Sequence, residues 1–234
     1  MVVSAVVEPG SIATLEGRDL SRACCVVFDV LRATTTMVTG LDAGVAGFEP
    51  VLTVDEALSR RREGVVLGGE RGGERIEGFD AGNSPLEYEV HRGKHVVITT
   101  TNGTRALRAV ARAGRVYASG LVNLGATVES VRGAGFEEVI LVCAGTGTGM
   151  ALEDVWAAGR MAEALGVGRS GDAVEAAAAV SRAFSDGFSA LEASVNGRVL
   201  LAKGRRNEVE WAARVDTIDR VAVMEGGVVR RFGG

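Results

Sequence analysis

Cys24-Cys25-Val26-Val27-Phe28 runs straight into Asp29-Val30-Leu31-Arg32-Ala33-Thr34-Thr35-Thr36, and this junction decides the fold. An unbroken apolar run reads as a buried strand, the abrupt acid as its tip, and the Thr-rich stretch as the opening of a helix. The pattern recurs along the chain. Thr99-Thr100-Thr101-Asn102-Gly103-Thr104-Arg105 follows His95 to Ile98. Cys143-Ala-Gly145-Thr-Gly-Thr-Gly149 follows Val139 to Val142, with Glu153 and Asp154 shortly after in the next helix. A fourth apolar strand, 65–68, runs into Gly69-Glu70-Arg71. Ligands of open α/β sheets sit at the carboxyl ends of strands, so these four tips are candidates for one shared site.

Working outward, strands are expected at about 2–7, 24–28, 47–52, 65–68, 95–99, 115–119 and 138–143, alternating with helices at about 34–43, 53–62, 84–91, 103–113, 123–133 and 151–165. Thr53 with Glu56 and Ser84 with Glu87 have capping-box spacing, and Pro85 suits a first helical position. VVFDVLRATTT and VVITTTNGTRA, and later VVLGGERGG and VILVCAGTGTG, follow one another in parallel order. The expectation is an α/β fold of layered α/β/α architecture forming a single domain over 1–234. It is built from two similar intertwined halves, about 1–93 and 94–165, with the site between them and a helical and hairpin part at 166–234. From residue 171 the chain is Ala-rich and helical, with Asp172 and Glu175 as a cap pair, and is expected to pack. Val221 to Val223 and Val228-Val229 read as a terminal hairpin, beyond which Gly233-Gly234 should fray.

With 234 residues, 47% of them apolar and 24% charged, the chain can bury a full core, and a formal charge of −4 argues against nucleic acid as a partner. The opening MVVSAVVEPG lacks the basic and long apolar regions of a leader, and no stretch reaches the roughly 20 apolar residues of a membrane span. A soluble cytoplasmic protein is expected, and a homodimer is compatible with it. Three cysteines, Cys24, Cys25 and Cys143, lack zinc spacing, and two histidines, His91 and His95, sit together. The chemistry therefore rests on carboxylates, arginines, hydroxyls and backbone amides.

Residues 69–87, GERGGERIEGFDAGNSPLE, concentrate such groups. Glu70 and Asp80, with Glu153 or Asp154, are candidate ligands for Mg2+, which takes one or two carboxylates together with water and substrate oxygens. Arg32 and Arg71 are the leading oxyanion clamps and Arg75 a further one. Backbone amides at Thr34 to Thr36 and at Asn102, Gly103 and Thr104 open helices toward further oxygens, and Thr101, Asn83, Ser84, Cys143 and Gly145 complete the candidate substrate-binding set. Their hydroxyls serve equally well as N-caps. Asp29 is open between an aspartyl-phosphate nucleophile, a general base and a metal ligand.

DVLRATTT, GER-G-G with GFDAGNSP-x-E, TTNGT-x-A, and CAG with the downstream Glu-Asp and Ala-Gly stand in one order from Asp29 to Gly159. In this they resemble the 2-phosphosulfolactate phosphatases of coenzyme M biosynthesis. The resemblance implies a magnesium-dependent phosphatase acting on a small anionic substrate and releasing 3-sulfolactate and phosphate. DVLRATTT lacks the Asp-x-Asp of haloacid-dehalogenase phosphatases, so in-line attack by water is preferred to a covalent route. The alternatives are an S-adenosylmethionine or nucleotide binder, suggested by VILVCAGTGTG, and a non-catalytic acid-binding homologue.

Overall fold

Along the strand at residues 23–28, Cys24, Val26 and Phe28 enter one hydrophobic core while Cys25 and Val27 enter another, all fully buried. Alternate side chains of a strand point to opposite faces, so this strand is covered on both sides. A computed structural model describes residues 1–233 and gives, in order, β1 (Val2–Val6), α1 (Pro9–Glu16), β2 (Ala23–Phe28), α2 (Ala33–Asp42), β3 (Gly47–Pro50), α3 (Val54–Ser59), β4 (Val65–Arg71), β5 (Glu74–Arg75), β6 (His95–Thr99), α4 (Gly103–Ala109), β7 (Arg115–Ser119), α5 (Leu124–Gly133), β8 (Glu138–Cys143), α6 (Leu152–Leu165), β9 (Gly168–Arg169), α7 (Asp172–Ser181), α8 (Gly187–Ala193), α9 (Val195–Ala202), α10 (Arg206–Ala212), β10 (Ala222–Glu225) and β11 (Val228–Arg231). The expected layered α/β/α architecture is present around a single sheet of 11 strands, ordered β5-β4-β6-β3-β11-β10-β7-β2-β8-β1-β9.

Pairing within the sheet explains how the strand tips meet. β4, β6 and β3 are mutually parallel, and so are β7, β2, β8, β1 and β9. The β10–β11 hairpin joins the two sets through three successive antiparallel pairings, so the sets run in opposite senses. The sets also exchange strands. β2 lies between β7 and β8, both of which come much later in sequence, and β6 lies between β3 and β4, which precede it. Every parallel neighbour of β2 therefore comes from residues 94–165, and every parallel neighbour of β6 from residues 1–93.

Helices follow local signals. Thr53 Oγ1 accepts from the Glu56 N–H at 3.0 Å and starts α3, while Gly166 at φ 64° closes α6 in the left-handed conformation. Two expected elements differ. Residues 84–91 form a loop ending in a 3-10 turn at Glu89–His91. There Ser84 accepts from the Leu86 N–H and Glu87 from the Gly82 N–H, so the capping partners bond within a loop. Tyr88 holds that loop in place, fully buried edge-on to Phe48 with its hydroxyl donating to the Gly82 carbonyl at 2.6 Å. Asp172 is the first helical residue of α7 and Gly171 is its cap, without a side-chain cap bond. α1 went unforeseen. The terminal hairpin forms as expected, and the predicted fraying at Gly234 lies outside the described residues. Among the described residues, no helix is long and apolar enough to cross a membrane.

Candidate active site

Asp29 after β2, Glu70 near the end of β4, Thr101 and Asn102 after β6, and Thr146 and Gly147 after β8 line one cleft of about 220 Å³. The four strand tips singled out in the sequence are thus brought together. Asp29 is nearly buried. Its Oδ1 accepts from the Ala33 N–H at 3.1 Å at the start of α2, and its backbone amide is held by the Thr34 hydroxyl at 3.0 Å. Glu70 is held from three sides: the Thr101 N–H and hydroxyl donate to Oε1 at 2.7 and 2.9 Å, and the Gly73 N–H donates to Oε2 at 2.7 Å. Glu153 is 1% exposed, with Oε1 accepting from Asn196 Nδ2 at 2.6 Å and Oε2 buried without a donor.

These acids sit out of water and close to one another. Burial pushes the Asp29 carboxyl up to about 7; the Ala33 N–H draws it down, Glu70 and Glu153 raise it further, and Arg32 opposes them. Glu153 is raised chiefly by burial, and Asp154 well above the usual carboxylate range by burial and then by the charges of Glu153 and Asp29.

The glycine-rich segment 69–75 is a tight hairpin, with Glu70 opposite Arg75 and Arg71 opposite Glu74. Gly72 and Gly73 form its two-residue turn at φ 61° and 82°, a conformation that side-chain-bearing residues resist. The turn accounts for these glycines. Its tip reaches the cleft, where the Gly73 carbonyl accepts from Arg32 Nη2 at 2.9 Å and from Arg205 Nη1 at 2.8 Å.

Several expected site residues are used otherwise. Asp80 lies outside the cleft: Oδ2 accepts from the Leu67 N–H at 2.8 Å and Oδ1 faces Arg61 at 3.6 Å, so it fixes the loop beside β4 instead of offering a ligand there. Both oxygens of Asp154 are occupied by backbone amides, Val30 at 2.8 Å and Gly145 at 3.1 Å, which ties the β2 and β8 tips together and also engages the Gly145 amide. Arg71 donates to the Glu70 carbonyl and to Thr99, and it does not line the cleft. Arg75 is exposed on the edge strand. Thr34 and Thr35 hydroxyls donate to the carbonyls of Asp29 and Val30, and the Thr34 amide to the Asp29 carbonyl, which leaves none of these groups for a ligand. The Thr104 amide is likewise bonded, to Thr100 Oγ1. Cys143 is fully buried with its thiol pushed up by burial and then by Asp154 and Glu153, so it packs. Ser84 stabilises its own loop, whereas Asn83 lines the cleft with its Oδ1 buried and unpartnered. The 146–149 loop closes on itself through paired Thr146 and Gly149 backbone bonds, unlike an open nucleotide-binding turn.

The C-terminal helices, expected only to pack, complete the cleft. Arg32 is 5% exposed and forms a 2.5 Å ion pair with Glu208 of α10. Asn196 of α9 bonds both Glu153 and Thr146. Lys203 and Arg205 grip Glu74 on the hairpin at 2.6 and 2.5 Å. The sequence signal was a charge on an apolar stripe: Glu208 shares the buried face of α10 with Val209 and Ala212.

Gly103 begins α4 against Asp29. A Cβ at this position would stand 2.4 Å from Asp29 Oδ2 and 2.6 Å from the Ala33 Cβ. Gly103→Ala is expected to displace the Asp29 carboxyl, costing about 1–3 kcal/mol in urea unfolding together with a loss of turnover. Wild-type stability and kinetics in this variant would mean that the contact yields freely.

A family model described as 2-phosphosulpholactate phosphatase matches residues 12–227. Similar chains include a "probable 2-phosphosulfolactate phosphatase" of Thermotoga petrophila, 38% identical over 206 residues that cover 87% of this chain and 89% of the relative. One of the same description from Deinococcus radiodurans is 42% identical over 82% of this chain and 83% of its own. Another, from Caldanaerobacter subterraneus, is 34% identical over 93% and 94%.

Proposed function

Because the chain belongs to the 2-phosphosulpholactate phosphatase family, a family of phosphoric monoester hydrolases, we propose that its cleft hydrolyses 2-phospho-3-sulfolactate to 3-sulfolactate and phosphate with magnesium bound. The observation that carries this reading is the charge of the cleft. Four strand tips bring Asp29 and Glu70 together, and the one cation lining the cleft among the described residues, Arg32, is already neutralised by Glu208. A phosphorylated diacid entering there requires added positive charge.

Among the described residues no group of three or more His, Cys, Asp or Glu side chains is placed to hold a metal ion, so the fit rests on single oxygen acceptors. Glu153 Oε2 and Asn83 Oδ1 are buried acceptors without donors, and Asp29 Oδ2 accepts no hydrogen bond from the described residues. Oxygen acceptors of this kind fit magnesium. Asn83 and Glu70, which both line the cleft, would hold it, Glu70 by exchanging a hydrogen bond from Gly73 or Thr101 for the ion. When bound, the ion supplies charge stabilisation to the transferring phosphoryl group, whose uncatalysed hydrolysis is among the slowest known.

Asp29 is the proton acceptor in this reading. A carboxyl raised to about 7 is poised to take a proton from an attacking water at neutral pH, and the Ala33 N–H fixes its other oxygen. Arg32 acts through position, anchoring the hairpin tip over the cleft. We propose the two intertwined sequence repeats, 1–93 and 94–165, as the source of the two facing sets of tips.

The test is phosphate release from 2-phospho-3-sulfolactate by protein stripped with chelator and then titrated with magnesium. Turnover is expected to fall at least tenfold on stripping and to return with magnesium. Full turnover at verified zero metal content would overturn the metal assignment, and no release at any metal concentration would overturn the substrate.

A further inference from the structure

With Arg32 paired to Glu208 and Arg71 bonded to Thr99, the substrate's non-reacting acids are left without the clamps expected from the sequence. A second compartment of about 310 Å³ adjoins the cleft, and Asn102 and Gly147 line both. Beside Pro9 and Ile12 its apolar lining is small: Ala13, Ala106, Ala109 and Ala144 leave open space that larger side chains would fill. Its one cation is Arg105, on α4.

Arg105 lies three residues beyond Asn102 and two beyond Gly103, the residue packed on Asp29. Asn102 caps α4 and Arg105 lies in its first turn, and both line the compartment, so Arg105 stands just beyond the residue shared with the cleft. Its side chain is exposed and makes no ion pair or hydrogen bond with the described residues, and Glu16, which also lines the compartment, does not pair with it. An unpaired guanidinium beside a reaction cleft offers parallel N–H donors matched to an oxyanion.

We propose that Arg105 and this compartment form the subsite for the substrate's sulfonate. The substrate's chemistry selects that group. Carboxylate and phosphate ester share one carbon, whereas the sulfonate sits on the next and reaches one bond further from the phosphorus. With the phosphoryl group at Asp29, the sulfonate is the anion that extends past Asn102. The identity of the anion rests on the phosphatase reading, so binding and turnover are measured separately.

The full-length protein and its Arg105→Gln variant are titrated calorimetrically with 3-sulfolactate and, separately, with inorganic phosphate, both in the presence of magnesium. Loss of a charge-assisted pair is expected to weaken 3-sulfolactate about 10- to 100-fold while leaving phosphate affinity unchanged, with Arg105→Lys in between. In turnover, kcat/KM for 2-phospho-3-sulfolactate should fall by a similar factor, and that for 2-phospholactate, which has no sulfonate, should hold. Equal 3-sulfolactate affinity in wild type and variant, no 3-sulfolactate binding at all, or an equal loss for phosphate would each overturn the subsite. A wild type that binds 3-sulfolactate through Arg105 yet releases no phosphate would instead overturn the phosphatase reading and leave the subsite standing.

Discussion

Asp29→Asn is expected to lower kcat by about 10²- to 10⁴-fold at saturating magnesium and, at the same time, to make the metal-free protein more stable at alkaline pH. Both effects come from one carboxyl. Its Oδ1 bond to the Ala33 N–H survives in asparagine, whose amide oxygen also accepts, so geometry is kept and the charge alone is removed. The folded protein raises this group from 3.8 to about 7, which means that folding favours its protonated form. Below pH 4 the carboxyl is protonated in both states and contributes no penalty. As pH rises from about 4 to about 7 the unfolded chain ionises while the folded one resists, and stability falls through that window. Above it the full penalty applies, on the order of 2–4 kcal/mol. Urea unfolding in chelator should therefore show the variant level with wild type near pH 4 and ahead of it at pH 8. Magnesium should narrow the gap, because a cation held in the cleft near Asp29 favours its ionised form. A gap that does not change with pH would show that Asp29 is not the strained group, and unimpaired turnover would remove it from the chemistry.

The sequence made the strands legible because their signals are local. β2, β4, β6 and β8 are apolar runs ending in abrupt polarity, and all four tips reached the cleft. Hydroxyl and amide roles were not legible for a different reason. Thr34, Thr35 and Thr104 have the composition of ligand loops, but a helix opening must first satisfy its own backbone groups, and here it uses these residues to do so. Asp80 and Arg71 misled in the same way: a charged residue in a glycine-rich loop looks available until its neighbours are known, and Asp80 bonds the Leu67 amide of β4 while Arg71 bonds the carbonyls of Glu70 in its own strand and of Thr99 in β6. Glu208 and Asn196 were missed because their partners, Arg32 and Glu153, lie 176 and 43 residues away in sequence. Contacts of that range leave only an indirect local trace, such as an acid on the buried stripe of α10.

That acid supports the second large expectation. Glu208→Ala should destabilise the protein by about 3–5 kcal/mol, because it leaves the Arg32 guanidinium, 5% exposed, without its counter-charge. Turnover should fall with it, since Arg32 also holds the Gly73 carbonyl and thereby the hairpin whose Gly73 N–H orients Glu70. The double variant Arg32→Met with Glu208→Leu separates the two contributions. Replacing both partners by apolar groups of similar size removes the buried charges together, so most of the stability should return. The bond to Gly73 does not return, although Arg205 still reaches the same carbonyl at 2.8 Å. Stability near wild type with turnover still depressed would assign Arg32 to positioning the hairpin over the cleft. Full recovery of turnover as well would mean that Arg205 alone holds the tip, and the pair would then serve only to join α10 to the sheet.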